Sequence, residues 1–291
     1  MAAEDIWYTV EGDPGIFTLI VELLGVRGAQ FEELWTLNNG VLENLRPVHG
    51  LIFLSKYVQA GEASNPVLTD DLEDIYFAKQ VAENACAAHA ILNILLNCVH
   101  PDIDIGEDLT ELKESSMVLN PYMRGVALTN SETVKNAHNF MSTQYEVDIE
   151  PEPNANMLNK DDDSYHYISY MEINGRLYEM DSFREGPIDH GPVYAGQNWL
   201  NVVRPIIQAK MNIFVAQNSE FKLMALVSDR KMVYERKLNH LTNDTHGADN
   251  EEVYYDALNL LMLIELEEGK KQNNLLELAF RLHRQEEVLE F

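Results

Sequence analysis

Gln80 and Cys86 stand close together at the head of a helical pattern, and both residue types carry acyl-transfer chemistry. From Ala87 the apolar residues recur at Ala87, Ala90, Ile91, Ile94, Leu95 and Cys98, the stripe of a buried helix. With Asn84 as N-cap, Cys86 falls in the first turn. Unpaired N–H groups and the macrodipole favour a thiolate there. Such sites lower a thiol pKa from about 8.5 into roughly the 3.5–7.5 range. The Gln80 amide, upstream of the helix, could turn back and donate to a developing oxyanion. A buried structural cysteine beside a surface glutamine would present the same residues, so the chemistry needs a base.

A hairpin supplies one. Tyr165 to Ile173 is rich in strand formers, Asn174-Gly175 is a two-residue turn signal, and Arg176 to Asp181 is the returning strand. In that register Ile173 faces Arg176, His166 faces Phe183 and Asp181 faces Ile168. His166 and Asp181 then share a sheet face as diagonal neighbours, with Cβ atoms about 7–8 Å apart or somewhat less. A histidine held by a carboxylate is the base and orienter of a nucleophilic triad; a polar pair on an edge strand is the alternative. Other candidates are weaker. His89, His138 and His190 read as core or surface residues, with Asp189-His190 in a turn. Cys98 and His100 lack the partners that zinc spacing requires. No glycine-rich phosphate loop is present. No metal or organic cofactor is expected.

The elements that must position these residues follow from pattern and punctuation. A helix from Pro14 to Leu24 ends at Gly25. Gln30 to Leu37 reads as a short amphipathic helix closed by Asn38-Asn39-Gly40. Leu51 to Tyr57 reads as a buried strand. Leu109 to Met117 and Ser131 to Met141 read as helices, the second with Ser131 as N-cap. From Ser142 to Ser164 regularity stops, in a stretch holding Pro151, Pro153 and Asp161-Asp162-Asp163. Such a loop is either functional or a solvated insertion. A helix begins near Asn198, with Pro205 kinking or restarting it, and runs to about Lys210. Phe221 to Ser228 is a buried strand and Asp229 to Leu241 a helix. Residues 251–291 are helical, broken near Gly269. Tyr255, Leu258, Met262 and Leu266 form an apolar face suited to a core or a partner.

The bulk composition narrows the classes. The 291 residues, 46% hydrophobic, suit one large domain or a domain plus an extension. Two cysteines exclude a disulfide scaffold and fit a reducing compartment. The start, Met1-Ala2-Ala3-Glu4-Asp5, lacks an apolar signal core, and the run from Gly15 to Val26 is too short to span a bilayer. Forty-eight acidic against 21 basic residues give a formal charge of −27. That field repels nucleic acid and anionic membrane and attracts basic partners, or serves solubility alone.

Ala78-Lys79-Gln80, Asn84-Ala85-Cys86-Ala87, Tyr165-His166-Tyr167-Ile168-Ser169-Tyr170 and Asn174 to Asp181 together resemble the ubiquitin carboxyl-terminal hydrolases. Arg184-Glu185-Gly186-Pro187-Ile188, Ser228-Asp229-Arg230-Lys231-Met232, Asp13-Pro14-Gly15 and Pro47 to Leu54 point to the proteasome-associated branch, which carries a helical C-terminal extension. The resemblance runs over roughly residues 6 to 240. It implies an α/β (α+β) papain-like cysteine protease fold, an antiparallel sheet flanked by helices, plus that extension. The implied division is a catalytic domain over 1–228 and the extension over 229–291. It implies Cys86 as nucleophile, His166 as general base then acid, Asp181 as orienter and Gln80 as oxyanion donor. It also implies that the loop from about Ser142 to Ser164 crosses the active-site groove. The expected activity is thiol-dependent cleavage after the ubiquitin C-terminal glycine. Expected partners are ubiquitin, its conjugates and, through the extension, a proteasome ubiquitin receptor, with no nucleic acid and no membrane. Cytoplasm and nucleus are the expected location. A non-catalytic ubiquitin-binding scaffold subunit is the alternative.

Overall fold

A computed structural model describes residues 6–56, 65–70, 72–142, 165–244 and 251–289. Alternation of apolar residues along the strands dictates the architecture. In β2 (Val48–Lys56), Ile52 and Leu54 enter one hydrophobic cluster and Leu51 and Phe53 the other. In β6 (Phe221–Ser228), Met224 and Leu226 join the first cluster, while Leu223, Ala225 and Val227 join the second. Strands that are apolar on both faces must be covered on both faces. The first cluster is closed by α1 (Pro14–Leu23) and α3 (Cys86–Leu95), the second by α2 (Asn39–Asn44) and α7 (Trp199–Ala216).

Among the described residues the sheet has six strands in the order β1-β6-β2-β3-β4-β5, every pairing antiparallel. The remaining strands are β1 (Ala29–Glu33), β3 (Tyr165–Ile173), β4 (Arg176–Met180) and β5 (Ile188–Pro192). The β3–β4 hairpin has the expected register, Ile173 opposite Arg176 and Ser169 opposite Met180. Asn174 and Gly175 both take positive φ, 50° and 74°, the backbone that a two-residue hairpin turn of this hand requires.

Helix starts follow their caps. Asp13 accepts from the N–H groups of Gly15 and Ile16 at the head of α1, and Ser131 from Val134 N–H at the head of α6 (Glu132–Phe140). Between α4 (Gly106–Ser116) and α6 lies α5 (Pro121–Thr129), a helix the apolar pattern does not reveal. Its signal is the pair Asn120-Pro121: Asn120 caps Met123 N–H at 2.9 Å and Pro121 opens the first turn.

The structure departs from the sequence reading in several elements. Gln30 to Leu37 is no helix; its first half is β1, the edge strand, paired from Ala29 opposite Ser228 to Glu33 opposite Met224. Ladder pairing with β6 overrides a weak helical period. Asp189 and His190 lie in β5, held to Glu179 and Tyr178 of β4, not in a turn. The helix through Pro205 neither restarts nor stops at Lys210 but continues to Ala216. After α8 (Arg230–Asp244), α9 (Glu251–Leu289) is one helix that runs through Gly269 without a break. The irregular stretch from Ser142 to Ser164 lies outside the described residues from 143 to 164, as does Tyr57.

Candidate active site

The nucleophile candidate is placed by α3. Cys86 is the first residue of that helix. Gly50 in β2 lets the helix sit close: a Cβ there would stand 2.6 Å from Ile94 Cγ2. Asn84 is not the N-cap. It takes a left-handed backbone, φ 60°, and its Nδ2 donates to Trp7 O at 3.1 Å, while Ala85 occupies the cap position without a side-chain bond. The asparagine instead turns the chain into the helix and ties it to the N-terminal segment.

The Cys86 thiol donates to Tyr165 O at 3.7 Å, the carbonyl just before His166. Helix-start chemistry is present: the N–H groups of Ala87 and of Cys86 itself favour the thiolate. Burial is the larger effect and pushes the thiol up to about 12. This direction is opposite to the lowered pKa expected from the helix start. The second cysteine, Cys98, is also pushed up by burial, to about 11.

The hairpin delivers the base candidate. His166 Nε2 and Asp181 Oδ1 are 2.8 Å apart in a buried contact. Asp181 stands one residue past β4, and Phe183 N–H donates to the same oxygen at 3.1 Å. Arg184 Nε lies 3.2 Å from Oδ2. Burial opposes the carboxylate charge. The hydrogen bond and charge of His166, the Phe183 N–H and Arg184 outweigh it and hold Asp181 below the usual carboxylate range. With Nε2 committed to Asp181, Nδ1 is the ring nitrogen suited to exchange a proton with the thiol.

Gln80 is fixed from two sides. Its N–H donates to Ser182 O at 2.8 Å, and Ser182 Oγ donates to Gln80 Oε1 at 3.3 Å. The Oε1 contact orients the amide so that Nε2 points the other way, to Ala82 O at 2.8 Å. One of its two hydrogens serves that bond and the second can serve an oxyanion. Upstream, Lys79 N–H donates to Pro121 O at 2.9 Å, and Asn97 brackets Tyr76 through its N–H and carbonyl, each at 2.7 Å. Gly125 allows α5 to close on this segment, since a Cβ there would meet Lys79 O at 1.8 Å.

The structure thus ties Gln80 and Asp181 to one short turn, pairs Asp181 with His166, and sets Cys86 against the residue before His166. Ser182 and Phe183 were not singled out as functional from sequence. The hairpin register already placed Phe183 opposite His166; nothing marked Ser182 except its position after Asp181. His89 and His138 are fully buried core residues, and His190 is held by Glu179 Oε2 at 3.0 Å and Asn65 Nδ2 at 2.9 Å. Among the described residues no group of three or more His, Cys, Asp or Glu could hold a metal ion, and no helix is long and apolar enough to cross a membrane.

Comparison with known proteins places this geometry. The family model described as ubiquitin carboxyl-terminal hydrolase, family 1, matches residues 7–212. The Caenorhabditis elegans protein named ubiquitin carboxyl-terminal hydrolase ubh-4 is 34% identical over 273 residues, 92% of this chain and 82% of its own length. The Dictyostelium discoideum ubiquitin carboxyl-terminal hydrolase isozyme L5 is 36% identical over 265 residues, 87% of this chain and 74% of its own. The crystal structure of Trichinella spiralis UCH37 bound to ubiquitin vinyl methyl ester aligns with a TM-score of 0.72 at 32% identity. It covers 92% of this chain and 99% of that one. The antiparallel sheet flanked by helices is the papain-like fold of that structure, and the C-terminal helical region is present here too.

Proposed function

The chain belongs to family 1 of the ubiquitin carboxyl-terminal hydrolases, which are cysteine peptidases, and from that premise we propose that it cleaves the bond after the ubiquitin C-terminal glycine through a Cys86–His166–Asp181 triad. The observation that carries the reading is the buried 2.8 Å contact of His166 Nε2 with Asp181 Oδ1, beside a cysteine at a helix start. That Trichinella spiralis UCH37 is seen bound to ubiquitin vinyl methyl ester supports ubiquitin as the substrate. The −27 charge supports attraction of a basic ubiquitin face.

The order of events follows from the contacts of Cys86, His166 and Gln80. Sγ attacks the glycine carbonyl carbon as His166 Nδ1 takes its proton, forming the S–C bond and an oxyanion. Gln80 Nε2 and the Cys86 N–H receive that oxyanion. The intermediate collapses, the C–N bond breaks, and the imidazolium gives its proton to the leaving amine. A thioester remains. Water, deprotonated by His166, attacks it and releases the carboxyl terminus and the thiol. Asp181 holds the ring and the positive charge it acquires, without taking the proton.

The division into a catalytic part over 1–228 and an extension over 229–291 is part of the same proposal. Its support is that α8 and α9 pack on each other outside the sheet, α9 reaching Gln30 of the edge strand and α8 contacting β6. Tyr255, Leu258, Met262 and Leu266 are exposed on α9, which supports the extension docking on a partner such as a proteasome ubiquitin receptor. Two unbridged cysteines suit the cytoplasm and nucleus as its location. Turnover of ubiquitin carrying a C-terminal fluorogenic amide tests the reading. Cys86→Ala is expected to abolish it and Cys98→Ala to leave it near the parent rate. No turnover by the folded parent would favour the scaffold reading, and loss in Cys98→Ala alone would favour another nucleophile.

A further inference from the structure

Phe183 stands on the short turn after β4, where Arg184 N–H donates to Asp181 O at 2.9 Å. The turn lays its ring flat on the His166 ring, with centroids 4.3 Å apart and planes 11° from parallel. Its backbone N–H donates to Asp181 Oδ1, the oxygen that also holds His166 Nε2. One residue therefore contacts both members of the dyad. The ring is 41% exposed and belongs to neither hydrophobic cluster, so core packing does not account for it.

We propose that Phe183 is a positioning residue for His166: its flat aromatic face fixes the imidazole plane and stabilises the imidazolium formed during turnover. This rests on the reading of His166 as the base. The hydrogen bond through Nε2 fixes a point of the ring, and a parallel neighbour at 4.3 Å bears on its plane. Aromatic faces attract cations. The proposed turnover places the thiol proton on this ring, and an aromatic face holds a charged ring more strongly than a neutral one, so the contact acts on kcat. The β3–β4 ladder ends at Ser169 opposite Met180, and the turn beyond it brings the Phe183 ring onto the His166 ring.

The test uses the full chain and ubiquitin with a C-terminal fluorogenic amide. Phe183→Ala is expected to lower kcat about three- to thirtyfold while KM stays within about twofold. Phe183→Tyr, which keeps the aromatic face, should stay within about twofold of the parent, and Phe183→Leu, which keeps only bulk, should sit near the alanine variant. Melting temperatures should match throughout, because the ring is exposed. Full rescue by leucine, or a rise in KM at constant kcat, would make Phe183 a packing or substrate contact and overturn the proposal. A Cys86→Ala control separates the two levels. Turnover persisting there overturns the triad, whereas a dead Cys86→Ala beside a full-rate Phe183→Ala overturns the role of Phe183 alone.

Discussion

Asp181 carries three contacts on two oxygens: His166 Nε2 and Phe183 N–H on Oδ1, and Arg184 near Oδ2. Replacing it by asparagine keeps the shape and removes the charge that stabilises an imidazolium. An amide also presents a donor that can select the wrong histidine tautomer. Asp181→Asn is expected to lower kcat by about two to four orders of magnitude, with ubiquitin affinity nearly unchanged. Parallel kinetics and calorimetric titration check this, and equal loss of affinity would make Asp181 a binding residue instead. At this scale the sequence was most legible, because the dyad depends on local register. A two-residue turn at Asn174-Gly175 determines which residues meet. The thiol was less legible, since burial depends on what folds over Cys86, and burial outweighs the helix-start N–H groups. Asn84 misled for a related reason: asparagine suits both an N-cap and a left-handed backbone, and only the contact with Trp7 O decides between them.

Elements position Gln80 by close approach. The segment before it runs between α3 and α5, tied by Asn97 to Tyr76 and by Pro121 O to Lys79. Arg124 clamps the far side, with Nη1 donating to Ile75 O at 2.7 Å and Nη2 to Met117 O at 2.6 Å. Gly125→Ala would drive a methyl into Lys79 O, a backbone atom that cannot step aside. It should cost about 1–3 kcal/mol of stability and lower kcat as Gln80 shifts from its oxyanion position. Denaturant unfolding and turnover on one preparation measure both. An unchanged kcat at reduced stability would show that Gln80 is held by Ser182 alone. Elements were legible where two signals agreed, as in β6 and the hairpin. They failed where tertiary context decides. Gln30 and Phe31 look helical until β6 offers a ladder, and Gly269 looks like a break until α9 packs along α8 and α1. There Glu267 meets Gln30 Nε2 at 3.1 Å and Lys270 meets Glu32 at 3.0 Å, covering the sheet edge.

The whole molecule carries a pH limit in three histidines, two in its core and the third, His49, half-buried. Burial lowers His49, His89 and His138 to about 4 from an ordinary 6.5. The charge of His100 adds to the effect at His49, and backbone carbonyls at Ala78 and Tyr8 oppose it at the other two. Below pH 6.5 the unfolded chain takes up protons that the folded chain refuses until about pH 4. Stability is therefore complete above pH 6.5 and falls as pH drops toward 4, by up to ~1.4 kcal/mol per unit for each histidine. Asp181 and Glu179, held below the ordinary carboxylate range, add losses only at lower pH. Melting temperature should already decline between pH 6.5 and 5, with proton uptake on unfolding; a flat profile there would contradict the neutral buried histidines. The central claim, that Cys86 attacks the ubiquitin C-terminus, is tested most directly by treating the full chain with ubiquitin vinyl methyl ester and mapping the adduct by mass spectrometry. The account predicts one ubiquitin per chain, joined to the peptide that contains Cys86 and absent in Cys86→Ala. An adduct on Cys98, or none on an intact folded chain, would contradict it.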